Sequence, residues 1–498
     1  MKSMNRKKEE NRIWRTVFVL LIFMVVLLAV AVFLFWMFSV SFKPEEGFQP
    51  LPDPPTDKLQ WVFITRDGGE LSEYAELLPD TSQLEEMAGM PVTITVCSAD
   101  KFLNLVAAGK TSDVVTRCYI DPKLKRFETS GMAENLQWLL NRELPDFQLS
   151  NEFLDWCGNT KGDVYAYPHT SSTLTTGTSA KAGVVMLANK QLLETHDISK
   201  DCFSSKEDTV QALISIRKAE PGIAPCYFDL STLQQMFGAR SLDQQGCWQD
   251  KFFQEETLEA LEWMNYLYKE RLLDQDVFTM TQSYLLSQLR EEKVFLAATS
   301  TLYPILQALP ENDPIWEAYE IVGPISPDSG KPFQFRPNYD EQYASTVFMT
   351  NSDFPKAQVR LLLCFCHQTA EFTPQQELAA SAGGFTDFPE CCGFASGSVG
   401  GVYEEYAEAT IPYEILFAHY ADTRLSNIFE SVENYRQSQV VRMIVSTPQS
   451  EVEQIYQETL LEMENRDNSM LIQWKQNKYQ QARELADAYG TQTGQKKR

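Results

Sequence analysis

Hydrophobic and polar residues follow each other along this chain in blocks that predict short strands separated by helices. The apolar run "LQWVFIT" from residue 59 suits a buried strand, and "PVTITV" and "SDVVT" predict two more. Between the last two lies "SADKFLNLVAAGK", where Ser98 is a good N-cap residue and Gly109 can end a helix. Strands that alternate with helices in this way are typical of a parallel sheet covered on both faces.

Another apolar block, residues 17–42, is 26 residues long and carries no charge. As a helix it would reach about 39 Å, enough to cross a hydrocarbon core of about 30 Å with some tilt. Six basic and two acidic residues precede it, which predicts a cytoplasmic tail, residues 1–16. We expect an uncleaved transmembrane signal anchor, although Ser39 and Ser41 leave cleavage as the alternative.

Between this anchor and the body lies the linker "KPEEGFQPLPDPPTDK", residues 43–58, which contains five prolines. Prolines at this density favour an extended polyproline II spacer of up to about 50 Å, and plain disorder is the alternative. Either way, we expect the body to stand off the membrane on the extracellular side.

The charge of the body excludes several classes of protein. Without residues 1–15 the chain has 37 Lys+Arg against 66 Asp+Glu, a net charge of −29. Such a body repels nucleic acid and anionic lipid surfaces.

The length of the body predicts two or more domains, and the lack of a second long apolar run predicts a single-pass protein.

The ten cysteines follow no common disulfide-scaffold spacing, so the sequence does not assign any pairing. Cys364, Cys366 and His367 together with Cys391 and Cys392 could be drawn as a zinc site. Their spacing matches no common zinc pattern, and the first two lie in the apolar run "VRLLLCFCHQ". Structural thiols or one local disulfide are the better interpretation, and we expect no metal.

No catalytic motif is present in the sequence. There is no H-E-x-x-H, no P-loop, no G-x-S-x-G and no G-x-G-x-x-G. With only four histidines, little is left for a histidine base or a metal cluster. We therefore expect no enzyme and no cofactor.

The opening of the body, "AGMPVTITVCSADKFLNLVAAGKTSDVVT", resembles that of the family-1 extracellular solute-binding proteins of carbohydrate ABC transporters. Further matches follow in order, although Ser112 replaces a proline and Arg271 a glycine of the family pattern. They are "KGDVYAYPHTSST", "AGVVMLANKQLLETHDIS", "EETLEALEWMNYLYKERLLDQDVF", "LREEKVFLAATSTLYP", "DFPKAQVRLLLCF" and "IQWKQNKYQQARELADAYG". The resemblance spans nearly everything from residue 59 to 490.

The resemblance implies an α/β, two-lobed periplasmic-binding-protein-like fold of the class II type, here preceded by one N-terminal transmembrane helix. By the motif positions, lobe I would be residues 59–168 plus 293–345. Lobe II would be residues 170–292 plus 346–498, including C-terminal helices. The three hinge crossings would then lie near Pro168, Lys293 and Thr346.

Sugar binding needs flat aromatic faces together with polar groups that pair with hydroxyls, and the resemblance places candidates at the strand ends and crossings. Asp113 holds the family's P-D position, and its alternative role is a strand-end hydrogen bond. For each tyrosine the alternative is a half-buried wall residue. The predicted ligand-binding residues are Asp113, Arg117, Tyr119, Tyr165, Tyr167, Tyr303, Arg336, Tyr339 and Asp340, with Tyr343 beside them.

We expect a monomeric, membrane-anchored receptor in the cell membrane of a Gram-positive bacterium. It would bind a carbohydrate or another small polar solute and dock on ABC permease subunits, with no nucleic-acid partner. Two alternatives stay open at this point. One is an extracellular solute receptor or co-sensor that reports to a signalling partner, and the other is a degenerate scaffold that binds nothing.

Overall fold

The computed structural model describes most of the chain after the linker. The described residues are 58–65, 81–110, 112–117, 124, 130–159, 161–169, 184–243, 245–278, 281–300, 302, 306, 309, 313–327, 344–367, 423–448 and 450–495. Across these ranges, no helix combines the length and the apolar character needed to cross a membrane. The predicted tail, anchor and most of the linker, residues 1–57, lie outside the described residues.

The first sheet contains the strands that the opening pattern predicts. Its strands are β1 (Leu59–Ile64), β2 (Val92–Cys97), β3 (Val114–Arg117), β4 (Ala166–His169) and β9 (Ala344–Phe348), in the order β2-β1-β3-β9-β4. β1 is parallel to β2 and β3, whereas β9 runs antiparallel between β3 and β4. The helix predicted after β2 is also present, and the Ser98 side chain accepts a hydrogen bond from the Lys101 N–H.

The second sheet has the order β6-β7-β5-β8. Its strands are β5 (Leu187–Asn189), β6 (Ala224–Phe228), β7 (Val294–Ala298) and β8 (Tyr319–Ile321). β6 and β7 are parallel, and β5 is antiparallel to both β7 and β8. β6 and β7 are joined by helices, so they form a βαβ unit, and both strands are almost wholly apolar, as expected for strands covered on two faces.

Helices cover both sheets. Around the first lie α1 (Thr81–Ala88), α2 (Ala99–Ala107), α3 (Leu136–Glu143), α4 (Asn151–Cys157) and α11 (Pro355–His367). In chain order the others are α5 (Lys190–Thr195), α6 (Lys206–Ala219), α7 (Leu230–Met236), α8 (Glu255–Lys269), α9 (Gln282–Arg290), α10 (Pro314–Ala318), α12 (Thr423–Val445), α13 (Ser450–Asn465) and α14 (Asn468–Gln495). Short 3₁₀ turns lie at Lys200–Ser204, Lys251–Phe253 and Gln275–Phe278.

The sheets correct two of the predicted crossings. Lys293 precedes β7, which pairs with β6 inside the second sheet, so the chain does not cross between sheets there. Thr346 lies in the middle of β9, where it pairs with Thr116 of β3 in the first sheet. The prediction that residues 293–345 belong to lobe I is therefore wrong for β7 and β8. The prediction rested on the motif "LREEKVFLAATSTLYP", which forms the helix and strand of a βαβ unit. Local sequence does not say which sheet such a strand joins.

Separate hydrophobic clusters lie against the two sheets. The cluster of the second sheet includes Phe203, Phe228 and Leu261 and extends to α12 and α13 through Val432 and Ile455. One face of the first sheet packs against a hydrophobic cluster that contains Trp61, Phe153, Tyr167 and Phe365, and we call this cluster the first-sheet core. The other face packs against a smaller cluster around Phe102 and Val115.

Arg271, which replaces a glycine of the family pattern, ends the turn after α8 with a φ of +53°. This is the left-handed conformation for which glycine is favoured. The chain therefore keeps the glycine-type turn with an arginine in it, at a cost in backbone strain.

Of the ten cysteines, the described ones are free thiols: Cys97, Cys157, Cys202, Cys226, Cys247 and Cys364. Burial raises the pKa of the Cys364 thiol, with a smaller opposing effect of Arg360. The remaining members of the drawn zinc site are not described as side chains, and no cluster of three or more metal-ligating residues occurs in the described ranges.

Candidate functional site

Arg117 and Ser345 lie together at the edge where the parallel strands of the first sheet end. Arg117 is the last residue of β3 and pairs in register with Ser345 of β9. Its Nε and Nη2 donate hydrogen bonds of 2.9 and 2.6 Å to the Ser345 hydroxyl. The arginine is only 6% exposed, so its guanidinium is held in a fixed position rather than free in solvent.

A row of buried hydroxyl groups supports this pair from inside the sheet. The Trp61 indole N–H donates to the Thr116 hydroxyl at 2.8 Å, and that hydroxyl lies 2.7 Å from the hydroxyl of Thr346. Both threonines are fully buried. The hydrogen bonds tie β1, β3 and β9 in one register, which fixes the positions of Arg117 and Ser345 at the strand ends.

Beside Arg117 the first sheet has a small apolar cleft. It is lined by Phe102, Val115, Arg117, Leu124, Val347 and Met349, and it is narrow, with room for about one water molecule. The guanidinium is the polar component of an otherwise apolar wall. Its lining side chains are almost completely buried, so in this conformation the cleft is too small to receive a sugar ring.

The second sheet carries a polar cluster at its own carboxyl edge. Asp229 directly follows β6 and caps α7, accepting from the Thr232 N–H at 2.8 Å. Its other carboxylate oxygen accepts from the N–H and the hydroxyl of Ser300, both at 2.7 Å, just after β7. The carboxylate therefore joins the ends of β6 and β7 and presents a fixed set of hydroxyl and carboxylate groups there.

A tyrosine and an aspartate form a second polar group near this edge. Tyr227, the penultimate residue of β6, is buried, and Asp274 follows a bridge between Leu273 and Cys226. Burial first, then the charge of Asp274 and the hydrogen bond with Tyr284, raise the pKa of the Tyr227 hydroxyl. This hydroxyl therefore stays protonated at all ordinary pH values.

The chain passes between the two sheets at their carboxyl edges. It leaves the first sheet after His169, opposite Ala344, at the edge that holds Arg117. It enters the second sheet before Leu187, opposite Ala297, at the end of β7. The return follows β8 and re-enters the first sheet at the start of β9, again at the carboxyl edges.

No protein-family model and no curated protein matches the chain. Solved structures do. One is FusA, an ABC-transporter substrate-binding protein of S. pneumoniae in complex with kestose, with 13% identity over 85% of this chain and 99% of that one and a TM-score of 0.54. Another is NgtS, the N-glycan transport solute-binding protein of Streptococcus pneumoniae in complex with Man5GlcNAc (13% identity, 86% and 98% covered, TM-score 0.52). A third is the alginate-binding protein AlgQ2 (12% identity, 86% and 99% covered, TM-score 0.52).

The chain has the fold of ABC-transporter substrate-binding proteins. This confirms the two-lobed periplasmic-binding-protein-like fold predicted from the sequence. At 12–13% identity the likeness extends to the fold, so the site has to be argued from the geometry of this chain.

Asp113, the predicted sugar-binding carboxylate, lies at the wrong edge of this substrate-binding-protein fold. It precedes β3, so it is at the amino edge of the parallel strands, opposite the edge of Arg117. One carboxylate oxygen accepts from the Gln60 N–H at 2.7 Å and the other from the Ser352 hydroxyl at 2.6 Å. The alternative role, a strand-end hydrogen bond, fits this placement, and a ligand contact does not.

The two predicted tyrosines of the first crossing are also placed away from the carboxyl edge. Tyr167 is buried in the first-sheet core, stacked on Phe153, and its hydroxyl donates to the Phe365 carbonyl at 2.9 Å. Tyr165 is half-buried just before β4, at the amino edge. Burial and the charge of Asp163 raise its pKa. Both fit the alternative of wall residues.

Five of the predicted ligand-binding residues lie outside the described residues: Tyr119, Tyr303, Arg336, Tyr339 and Asp340, as does Tyr343. Of the predicted residues that are described, Arg117 alone lies at a carboxyl edge. The sequence analysis missed Ser345, Asp229 and Ser300. Asp229 could have been found, because "YFDLSTL" places a capping aspartate between a predicted strand and a helix.

Proposed function

We propose that this protein captures a carbohydrate between the carboxyl edges of its two sheets and delivers it to an ABC importer. The observation that carries the proposal is that the two strand-to-strand passages, from β4 to β5 and from β8 to β9, join carboxyl edges that bear fixed polar groups. In open α/β sheets ligands bind outside these edges. The sugar ligands of FusA and NgtS, kestose and Man5GlcNAc, support a carbohydrate as the solute.

In this proposal the two edges supply different groups to one ligand. Arg117, steadied by Ser345, donates hydrogen bonds to ring hydroxyls. Asp229 and Ser300 offer acceptors and a hydroxyl from the second sheet. Tyr119, Tyr303, Arg336, Tyr339 and Asp340 remain proposed contacts by their positions in the sequence. No residue is given a catalytic role, and no cofactor is invoked.

The proposed lobes follow the sheets. Lobe I comprises residues 59–169 and 344–367, and lobe II comprises residues 184–327 and 423–495. The chain passes between these lobes after His169, before Ala344 and after His367. Closure of the lobes on the ligand then forms the surface that docks on the permease subunits.

We further propose that residues 17–42 tether the monomeric receptor to the outer face of the cell membrane. The uncharged run and the basic residues before it support this attachment. A tethered receptor stays near its permease, which raises its effective concentration there.

The test is a thermal-shift screen of the full-length chain in detergent against neutral oligosaccharides, followed by calorimetry of the best ligand. We expect a dissociation constant in the micromolar range or below, about −8 kcal/mol. Arg117→Ala should weaken binding about ten- to a hundredfold, as expected for a charge-assisted hydrogen bond. Asp113→Asn is the matched control and should bind as the parent does.

Three outcomes would contradict parts of the proposal. Unchanged affinity in Arg117→Ala would remove the first-sheet edge from the site. Binding with no transport by any permease would favour the sensor, and no ligand at all would favour the degenerate scaffold.

A further inference from the structure

A short hairpin between α7 and α8 has its base in one lobe and its arms in the other. Phe237 before it and Phe252 after it are buried in the cluster of the second sheet. Leu242 and Trp248, one on each arm, are buried members of the first-sheet core. The chain therefore leaves the core of the second lobe, enters that of the first and returns. We call the described residues of this excursion, 240–243 and 245–249, the hairpin.

Hydrogen bonds inside the hairpin give it a shape of its own. Leu242 and Trp248 pair in an antiparallel bridge. The Asp243 N–H donates to the Cys247 carbonyl at 3.0 Å. The Asp243 carboxylate accepts from the N–H groups of Gln245 and Cys247 at 2.9 and 2.8 Å, which closes the turn. The arms therefore hold Leu242 and Trp248 together as one unit.

Polar contacts fix the base of the hairpin to the second lobe. The Arg240 N–H donates to Gln254 Oε1 at 2.8 Å, and Gln254 Nε2 donates to the Arg240 carbonyl at 2.5 Å. The Tyr456 hydroxyl of α13 donates to the Gln254 carbonyl at 3.0 Å. Directly after the hairpin, Asp250 pairs with Arg436 of α12 at 2.7 Å. Both α12 and α13 contribute to the cluster of the second sheet, so the base moves with that lobe.

The arms of the hairpin pack against α14, which covers the first-sheet core. The rings of Trp248 and Tyr479 lie 6.4 Å apart, and the Trp248 N–H donates to the Gln476 side chain. Lys475 Nζ lies 5.5 Å from the Trp248 ring. Trp248 is therefore held inside the first-sheet core and not on its surface. Although α14 follows the helices of the second lobe in the chain, its apolar side chains pack against the first-sheet core: Ile472, Trp474, Tyr479, Ala482, Leu485 and Ala486.

We propose that the hairpin is an interlobe pivot: it keeps the lobes packed at Leu242 and Trp248 and limits their movement to turns about this contact. Leu242 is 5% and Trp248 6% exposed. Moving the lobes apart at this point would bring both side chains into water, whereas a turn about the contact leaves them buried. The carboxyl edges can then open and close while the lobes stay joined at the hairpin. The pivot rests on the lobe movement of the proposed function, and it involves no ligand.

The test is the distance between the lobes in single molecules of the full-length chain in detergent. Energy-transfer dyes replace Trp138 of α3 and Leu461 of α13, which are 65% and 67% exposed. An unnatural amino acid at both positions carries the dyes, so that the native cysteines stay unlabelled. In the first variant Gly-Gly replaces residues 242–248, because the Gln249 N–H already donates to the Ser241 carbonyl at 2.8 Å. We expect a wider distribution of distances than in the parent, since the base is retained and the pivot contact is lost.

Leu242→Ala is the milder variant, and Leu361→Ala is its matched control. Both leucines are buried in the first-sheet core, but Leu361 belongs to α11 of the first lobe. Leu242→Ala should widen the distribution of distances, and Leu361→Ala should leave it as in the parent. Hydrogen exchange in β1 and β6 checks that both lobes remain folded in each variant.

An unchanged distribution in the Gly-Gly variant, with β1 and β6 still protected, would overturn the pivot. Equal widening in Leu242→Ala and Leu361→Ala would also overturn it, because any loss of core packing would then loosen the lobes. If the Gly-Gly variant loses its protection, the two leucine variants decide. No sugar is added in these measurements, so a failure to find a carbohydrate ligand leaves their outcome unchanged.

Discussion

Replacing Asp113 by alanine distinguishes most directly between a sugar-binding and a structural carboxylate. In the structure Asp113 joins the first strand to the segment after β9 through the Gln60 N–H and the Ser352 hydroxyl. Its own backbone carbonyl accepts from Gln358 at 2.8 Å, which the substitution does not disturb. Asp113→Ala therefore removes two side-chain hydrogen bonds and leaves the backbone contacts in place.

The expected cost follows from the two donors that lose their acceptor. Hydrogen bonds to a charged group contribute about 1.5–3 kcal/mol each, and an abandoned buried donor costs about 1–3 kcal/mol. Burial of the charged carboxylate opposes the stabilisation that these hydrogen bonds provide. It raises the pKa of Asp113 despite the lowering effect of the Gln60 and Ser352 hydrogen bonds. We expect a net loss of about 2–4 kcal/mol, or a fall of about 5–15 °C in the melting temperature of the lobe that contains the first sheet.

Asp113→Asn separates charge from hydrogen bonding. The amide can accept from the Gln60 N–H and donate to the Ser352 hydroxyl, so its stability should lie within about 1 kcal/mol of the parent at neutral pH. Because the pKa of Asp113 is raised above its usual 3.8, its stabilising contribution is complete below that value and is lost as the pH rises through the folded pKa. The stability of the asparagine variant relative to the parent should therefore increase as the pH rises above about 4.

The assay is thermal unfolding of the full-length chain and both variants from about pH 4 upwards, paired with calorimetry of the screened ligand. Asp113→Ala should unfold at a lower temperature than the parent. At temperatures where it is folded, it should bind the ligand with the parent's affinity. Unchanged melting together with weakened binding would refute the structural interpretation and return Asp113 to the ligand site.

Further predictions concern the rest of the chain. Arg436→Met should destabilise the protein by about 2–4 kcal/mol, because it leaves the Asp250 carboxylate, whose side chain is 13% exposed, without its ion-pair partner. Urea unfolding measures the free energy of unfolding, and a destabilisation equal to that of Arg436→Lys would contradict this prediction. Arg271→Gly should raise the free energy of unfolding by about 0.5–1 kcal/mol in the same assay, since glycine adopts the left-handed conformation without backbone strain. A decrease would contradict the strain argument. Leu27→Arg with Leu28→Arg should abolish retention in carbonate-washed membranes, since each mid-bilayer charge costs at least about 2.5 kcal/mol, and continued retention would exclude the anchor.

Local sequence was a good guide to the elements of the first sheet. The strands from Leu59 and Val92 and the helix capped by Ser98 form as predicted, because each depends on neighbours within a few residues. The glycine-type turn at Arg271 shows the limit of this guide, because the surrounding structure imposes a left-handed conformation on a residue that does not prefer it.

The sequence by itself determined the α/β class, the ordered motifs that resemble those of solute-binding proteins, and the acidic composition. These properties depend on short-range periodicity and on counts of residues. Only the tertiary structure decided that β7 and β8 join the second sheet, that Asp113 lies at the amino edge and that Arg117 shares its edge with Ser345, 228 residues away. The physical reason is that an edge and a sheet partner are set by strand direction and long-range pairing, and neither quantity is encoded in the residues next to the strand.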